Sequence, residues 1–189
     1  MPSTSPSDTR FTSETKQIGQ TFFGETVGEE FGRNIGLFRD GTVLTVPLHL
    51  HDSSKKGADV GRVQVFRLEN DEWVQNGQDL LGDHTGDQSG YAMDCSDDGS
   101  IVAIGAWTAG SGLEGIVRVY QYNEDFDFYY RLVNDIRGVS IAVFFGSSVS
   151  LSGDGNTLAI GVDYLARMHK SDLAPRISFR VQVIFSLRC

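Results

Sequence analysis

The sequence predicts an all-β protein built from a repeated antiparallel unit. Glycine is abundant, with 22 residues against 4 prolines in a chain of 189. The glycines separate short runs rich in valine, isoleucine, phenylalanine and tyrosine, which is the pattern of turns between strands. Stretches of the chain also repeat one another at a fixed spacing, as expected of a protein assembled from one recurring supersecondary unit.

Two pairs of segments carry the repeat. Residues 75–90 (QNGQDLLGDHTGDQSG) align without gaps on residues 17–32 (QIGQTFFGETVGEEFG), with six of sixteen positions identical at an offset of 58. Residues 96–105 (SDDGSIVAIG) align on residues 152–161 (SGDGNTLAIG), with six of ten positions identical at an offset of 56. An Asp-Gly pair marks the same place three times, at residues 40–41, 98–99 and 154–155.

Each unit is predicted to form four strands joined by turns. In the middle unit these are Tyr91–Ser96, Ile101–Trp107, Ile116–Tyr122 and Phe128–Val133. Asp98-Gly99 suits a tight hairpin between the first two strands, because glycine accepts the positive φ that such a turn needs. The second strand is almost wholly apolar, as expected of a strand covered on both faces. Four-stranded antiparallel units stacked by repetition describe the blades of a β-propeller.

The repeat divides the chain into a flexible N-terminal segment, residues 1–15, and a β-propeller region, residues 16–189. Three blades are predicted, at about residues 31–81, 89–137 and 145–185. Residues 16–23 are predicted as a strand of a preceding or closing blade. Propellers usually have about four to eight blades. We therefore expect a partial propeller whose open blade edges allow self-association.

The motifs Phe-Gly, S-x-D-G, A-I-G-A and G-x-V-x-V-Y recur in succession along the chain, with departures in some units. The opening pair stands at Phe31-Gly32 and Phe145-Gly146, whereas Ser89-Gly90 keeps only the glycine. The middle motif stands at residues 103–106 and 159–162, and residues 45–47 depart from it. This pattern resembles the FG-GAP-type repeat of integrin alpha-like β-propellers over roughly residues 17–185. The resemblance implies a propeller fold and, for a larger parent protein, an extracellular setting.

Members of that family often bind calcium through a D-x-D-x-D-G-x-x-D hairpin. In DCSDDGSIV, the first three ligand positions are Asp94, Ser96 and Asp98, but the last is Val102, which offers no oxygen. Calcium prefers about six to eight oxygen ligands. Residual calcium binding at Asp94, Ser96 and Asp98 stays open, and no residue is assigned as a metal ligand.

Charge and hydropathy limit the partners that the chain can have. The net charge of -9 would repel a phosphate backbone, so nucleic acid is not expected as a partner. The longest apolar run, Ile141–Phe145, is far shorter than the roughly 20 residues that span a bilayer, so no membrane span is expected. The N-terminal residues lack the apolar region of a signal peptide. The compartment is therefore left unassigned.

Two groups of residues could carry metal or acid-base chemistry. His49 and His51 would share one face of a strand and could bind a metal together with Asp52, but two such ligands often occur by chance, so a polar strand end is favoured. Acidic residues also recur between the blades, at Glu25, Glu29, Glu30, Asp83 and Asp87. An active site usually occurs once, so this repetition favours turn capping or a solvated acidic rim over a catalytic pair.

Repeated aromatic and glycine residues favour architecture over ligand binding. Trp73 and Tyr129 occupy equivalent positions in two units, where packing between blades is favoured over a ligand-stacking platform. GSGLEG, Gly110 to Gly115, has the G-x-G-x-x-G spacing of a dinucleotide site. However, a β-branched strand rather than a helix follows it, so it is interpreted as a turn. No catalytic or cofactor-binding residue is assigned, and no cofactor is expected.

The sequence supports two hypotheses for function. The first is a non-enzymatic binding or scaffolding module that presents propeller loops to a protein or glycan partner. It is favoured because the loops joining the second and third strands vary between units, at residues 47–62, 106–117 and 162–180. The alternative is a carboxylate-dependent hydrolase built on a propeller.

Overall fold

A computed structural model describes residues 16–38, 41–139, 144–164 and 178–187. These residues form three antiparallel sheets, which follow one another along the chain. The prediction of a flexible segment at residues 1–15 lies outside the described residues, as does most of the third variable loop. The all-β prediction is confirmed at the level of repeated antiparallel sheets.

Sheets I and II share one topology. Sheet I contains β1 (Gly36–Phe38), β2 (Val43–Leu48), β3 (Arg62–Glu69), β4 (Glu72–Gln75) and β5 (Leu80–Leu81). Sheet II contains β6 (Ala92–Cys95), β7 (Ile101–Ala106), β8 (Ile116–Asn123), β9 (Phe128–Arg131) and β10 (Ile136–Arg137). In each sheet the first four strands pair in sequence order, and the short fifth strand pairs with the third. The four strands predicted for the middle unit are confirmed.

Sheet III contains β11 (Phe145–Leu151), β12 (Thr157–Tyr164) and β13 (Ser178–Ser186), paired in that order. Residues 16–23, predicted as a strand of a preceding or closing blade, form no strand with any described residue. They lie against sheet I instead, where Phe22 packs on Phe66 with ring centroids 4.7 Å apart. A strand needs a partner edge, and sheet I has already paired its own strands.

The sheets stack face to face, with sheet II in the middle. Every residue of β7 is buried. Ile101 and Ala103 pack into the core shared with sheet III, whereas Val102 and Ile104 pack into the core shared with sheet I. This arrangement explains the uniformly apolar sequence of β7, because both of its faces are covered. The other face of sheet I is covered in part by Phe22 and Phe31.

Close main-chain contacts between successive sheets occur at equivalent glycines. A Cβ atom on Gly61 would lie 2.2 Å from the carbonyl oxygen of Ser89, and one on Gly115 would lie 2.1 Å from that of Phe145. Both glycines also have positive φ, 81° and 79°. A side chain at Gly61 would collide with the main chain just before sheet II, and one at Gly115 would collide with the first residue of sheet III, so glycine is required at both positions.

A glutamine side chain joins each outer strand to the segment before it. Gln78 donates to the carbonyl of Tyr129 at 2.7 Å and accepts from its N–H at 2.8 Å. Gln20 makes the same pair of bonds to Trp73, at 2.6 and 2.9 Å. The aromatic ring of each partner packs over the preceding glycine, Gly77 or Gly19. The prediction that Trp73 and Tyr129 pack between units is confirmed.

We expect Gly115→Ala to destabilise the fold more than Gly86→Ala. Both glycines have positive φ, 79° and 77°, so each substitution costs about 1 to 2 kcal/mol of backbone strain. No atom lies within 4 Å of a Cβ on Gly86. Gly115→Ala must also displace the main chain of Phe145, which costs about 2 kcal/mol more. Urea unfolding of both variants measures the difference, and equal losses would contradict the close sheet contact.

Candidate functional site

The variable loops and the connections between sheets meet at one edge of the stack, which we call the loop edge (residues 49–61, 82–91 and 107–115). The N–H of Gly86 donates to the carbonyl of Ala58 at 2.9 Å. The hydroxyl of Thr108 donates to the carbonyl of Gly86 at 2.7 Å. The connection between the sheets therefore lies between the β2–β3 and β7–β8 loops.

A buried carboxylate caps the turn before sheet I, and another caps the turn between sheets I and II. Asp87 accepts hydrogen bonds from the N–H groups of Asp83 and His84, at 3.0 and 3.3 Å. Glu29 accepts equivalent bonds from the N–H groups of Glu25 and Thr26. Burial raises the pKa of Glu29, but these bonds outweigh burial and hold its pKa below the ordinary value. The turn-capping interpretation of these acids is confirmed.

Arg118 is the most deeply buried charge at the loop edge, with 2% of its surface exposed. Its Nη2 atom lies 3.1 Å from carboxylate oxygens of both Asp83 and Asp87, and its Nε lies 3.7 Å from Asp135. Arg131 joins the network, 2.5 Å from Asp83 and 3.0 Å from Asp135. The cation thus neutralises the capping acid Asp87, which is itself buried.

Sheet I has a related network one repeat earlier. Arg62 is 5% exposed and lies 3.0 Å from Glu25 and 3.5 Å from Asp79. Gln64, which takes the place of Arg118 in the strand pattern, donates to Asp79 at 2.9 Å. Neither arginine was predicted from the sequence. For Arg118 the available signal was a cation between two valines inside a strand, since such a side chain needs a buried partner.

An open cleft of about 470 Å³ lies beside Arg118. Its walls include Asp83, Thr108, Ser111, Glu114, Arg118 and Arg137. Glu114 is fixed within the GSGLEG turn, because its carboxylate accepts the N–H of Gly112 at 2.9 Å. The turn leads directly into β8, which confirms that a strand follows it. The cleft therefore offers hydroxyls and charges of both signs to a polar ligand.

The charge state of Asp83 limits what the cleft can do chemically. Burial raises the pKa of Asp83, but the hydrogen bond from Arg131 and the charge of Arg118 lower it further, and the net shift is downward. Asp83 is therefore ionised at neutral pH. It can accept hydrogen bonds there, but it is poorly suited to donate a proton as a general acid.

A row of aromatic rings runs along the loop edge across all three sheets. Tyr91 and Trp107 stack with centroids 4.4 Å apart, His49 meets Tyr91 edge-on at 5.5 Å, and Phe144 lies 5.0 Å from Trp107. The indole N–H of Trp107 donates to Gln88 at 2.7 Å. Burial lowers the pKa of His49 despite the nearby Glu30, which favours a neutral ring in this row.

His49, His51 and Asp52 are engaged separately. His49 Nε2 lies 3.7 Å from Glu30, and His51 Nδ1 lies 3.8 Å from Glu29. The carboxylate of Asp52 accepts the N–H of Asp59 at 2.9 Å. Within the described part of the chain, no three histidine, cysteine, aspartate or glutamate side chains are grouped to hold a metal ion.

The calcium-like hairpin uses its oxygens within the protein. Asp98 Oδ1 accepts the hydroxyl of Ser96 at 2.7 Å and the N–H of Ser100 at 2.9 Å. The second carboxylate, Asp94, accepts the N–H of Leu151 in the next sheet at 2.6 Å. Burial raises the pKa of Asp98, but its hydrogen bonds lower it to below the ordinary value. These residues thus stabilise the hairpin and its contact with sheet III.

No protein-family model matches the chain, and no curated protein matches it either. Across the residues that the structure describes, there is no helix long and apolar enough to cross a bilayer. The geometry and chemistry of the loop edge are therefore the basis for a functional proposal.

We expect Arg118→Met to lower the free energy of unfolding by about 3 to 5 kcal/mol, because it leaves the buried carboxylate of Asp87 without its cation. Arg137→Met is the control, since that side chain is 55% exposed beside Asp135. Its loss should stay below about 1 kcal/mol. Urea unfolding followed by tryptophan fluorescence measures both. Losses of similar size would show that Arg118 does not stabilise the connection.

We also expect Asp83→Asn to flatten the acid limb of the stability curve. The folded-state pKa of Asp83 lies below its reference value of 3.8. Its ionised carboxylate therefore adds stability above that pH, and this stability is lost as the pH falls through the folded-state pKa. Unfolding free energies of the wild type and the variant should converge between about pH 5 and pH 2. Parallel curves over this range would refute the role of Asp83.

Proposed function

We propose that the chain is a non-enzymatic binding module built on part of a β-propeller of the FG-GAP, integrin alpha-like type. The stacked antiparallel sheets, the S-x-D-G hairpins and the repeated contacts between sheets support this architecture. In sheets II and III the hairpin serine and aspartate bond to each other in the same way, Ser96 to Asp98 at 2.7 Å and Ser152 to Asp154 at 2.6 Å. A scaffold repeated in such detail provides a fixed base for loops that differ.

The observation that carries the proposal is the contrast between the loops and their supports. Gly61 and Gly115 make equivalent main-chain contacts to the segment that follows their sheet. Gly61 is the last residue of the β2–β3 loop, and Gly115 is the last residue of the β7–β8 loop. The loops themselves, residues 49–61 and 107–115, differ in length and composition. Variable loops held on a rigid scaffold are typical of recognition surfaces.

The chemistry of the loop edge favours a polar partner with hydrogen-bonding groups. Glu114, Ser111 and Arg137 line the cleft and offer acceptors, a hydroxyl and a guanidinium. Tyr91 and Trp107, both partly exposed, add apolar surface next to these groups. Protein loops and glycans present hydroxyl, amide and carboxylate groups that match such a mixed surface.

A carboxylate-dependent hydrolase is the alternative, and the charge of the cleft argues against it. Glycoside hydrolysis needs one carboxyl group that stays protonated near neutral pH, as well as one that is ionised. Asp83 has a lowered pKa, so it does not supply the protonated group. Product formation from a glycan bound in the cleft would nevertheless favour the hydrolase over the binding module.

We expect Ser111→Trp to weaken binding at least about tenfold, because an indole at this position fills the cleft. Asp125→Trp is the matched control, since residue 125 is exposed in the β8–β9 turn at the other end of β8. Binding is measured on a glycan array and by affinity capture with quantitative mass spectrometry. Ligands that both variants retain equally, or a wild-type chain that binds nothing above background, would contradict the proposal.

A further inference from the structure

The repeat gives residues 16–23 a structural counterpart one unit later. They align with residues 74–81, which end in β5. In β5, Leu80 and Leu81 pair with Val63 and Arg62 of β3. The equivalent pair in sheet II, β10, is bonded to β8 in the same way. Phe22 and Phe23 hold these places in the first copy of the pattern, yet they form no strand with any described residue.

Strand β13 differs from the equivalent strands of sheets I and II, because no described strand pairs with its outer edge. It corresponds to β3 and β8, since Val63, Val117 and Val181 stand opposite Pro47, Gly105 and Gly161 in their sheets. β3 and β8 each pair with two further strands on their outer edge. Within the described residues, β13 pairs with β12 alone. The outer edge of this nine-residue strand therefore has no partner among the described strands.

No sheet of the described residues covers the back of sheet I. A Cβ on Gly90 would meet Val63 of the preceding sheet at 2.9 Å, and one on Gly146 would meet Val117 at 2.7 Å. The equivalent residue in front of sheet I is Gly32, and no atom lies within 4 Å of its Cβ position. In sheets II and III this surface contacts the preceding sheet. In sheet I the equivalent surface faces open space at Gly32.

Large apolar side chains are exposed at the same end of the stack. Phe23 is 80% exposed, Ile35 is 68% exposed, Leu37 on β1 is 62% exposed, and Val27 is fully exposed. Exposed apolar side chains gathered at one end of a stack are typical of an interface whose partner is missing. Burial of each would contribute about 1.5 to 3 kcal/mol if it were complete.

We propose that a second copy of this chain completes the interface. Phe22 and Phe23 of one copy pair antiparallel with Val181 and Arg180 on the open edge of β13 in the other copy, and sheet III of that copy covers the back of sheet I. Within one copy, sheet II separates these two surfaces by two sheet spacings, or about 20 Å. The contact joins two different surfaces, so it builds closed rings or open chains of copies. The inference rests on the repeat and not on the proposed partner binding.

Sedimentation of the 189-residue chain tests the association. We expect the wild type to form dimers or larger species at micromolar concentration. Phe23→Asp should weaken association at least about tenfold, because it places a charge in the new interface. Phe126→Asp is the matched control, since Phe126 is 79% exposed in the β8–β9 turn. A monomeric wild type, or equal effects of both variants, would overturn the proposal.

Disulfide formation tests the register and the copy that provides the strand. All chains carry Cys189→Ser so that only the introduced thiols react, since Cys95 is buried. We expect a mixture of Phe23→Cys chains and Arg180→Cys chains to form a cross-linked dimer, because directly opposed strand residues are close enough for a disulfide. Phe126→Cys chains mixed with Arg180→Cys chains should not. A double variant that closes its disulfide within one chain would overturn the second-copy assignment.

Discussion

The stack of sheets depends on places where main chain meets main chain without an intervening side chain, and two of these places are equivalent in the repeat. Gly61 lies against Ser89, and Gly115 lies against Phe145, each closer than a Cβ atom would permit. These contacts fix each sheet against the next at the same point of its third strand. The covered faces of β7 and the shared cores follow from that spacing, because sheets this close exclude water from the surfaces between them.

The same close approach explains why charge is buried at the loop edge. The chain turns sharply before sheet I and again between sheets I and II, and Glu29 or Asp87 satisfies the free N–H groups of the turn. A buried carboxylate needs a cation, which Arg118 supplies to Asp87. The network fixes the base of the loops, so residues beyond it can vary without loosening the scaffold. In the proposed binding module, the loops would carry recognition, and the charges beneath them stabilise the structure.

Local patterns predicted the strands and turns of the antiparallel sheets, whereas they did not predict contacts between distant residues. The strands of the middle unit, the turn at Gly115 and the capping role of Asp87 depend on short stretches of chain. Arg118 and Asp87 are 31 residues apart, and nothing in either local pattern points to the other. The strand expected at residues 16–23 also depends on a distant partner. Its sequence has the pattern of a strand, but strand structure requires a partner edge, and no described strand pairs with these residues.

The two ends of the stack are not equivalent, and this asymmetry connects assembly to binding. Repeat proteins usually close their ends with polar surfaces, because an apolar end would recruit further chains. The end at sheet I exposes Phe23 and Ile35 instead. If a second copy joins there through the contacts that the sheets already use, its loops continue the same edge in the same orientation. The variable loops of two copies would then form one longer recognition surface, and a partner that contacts both would bind more tightly than either copy alone allows.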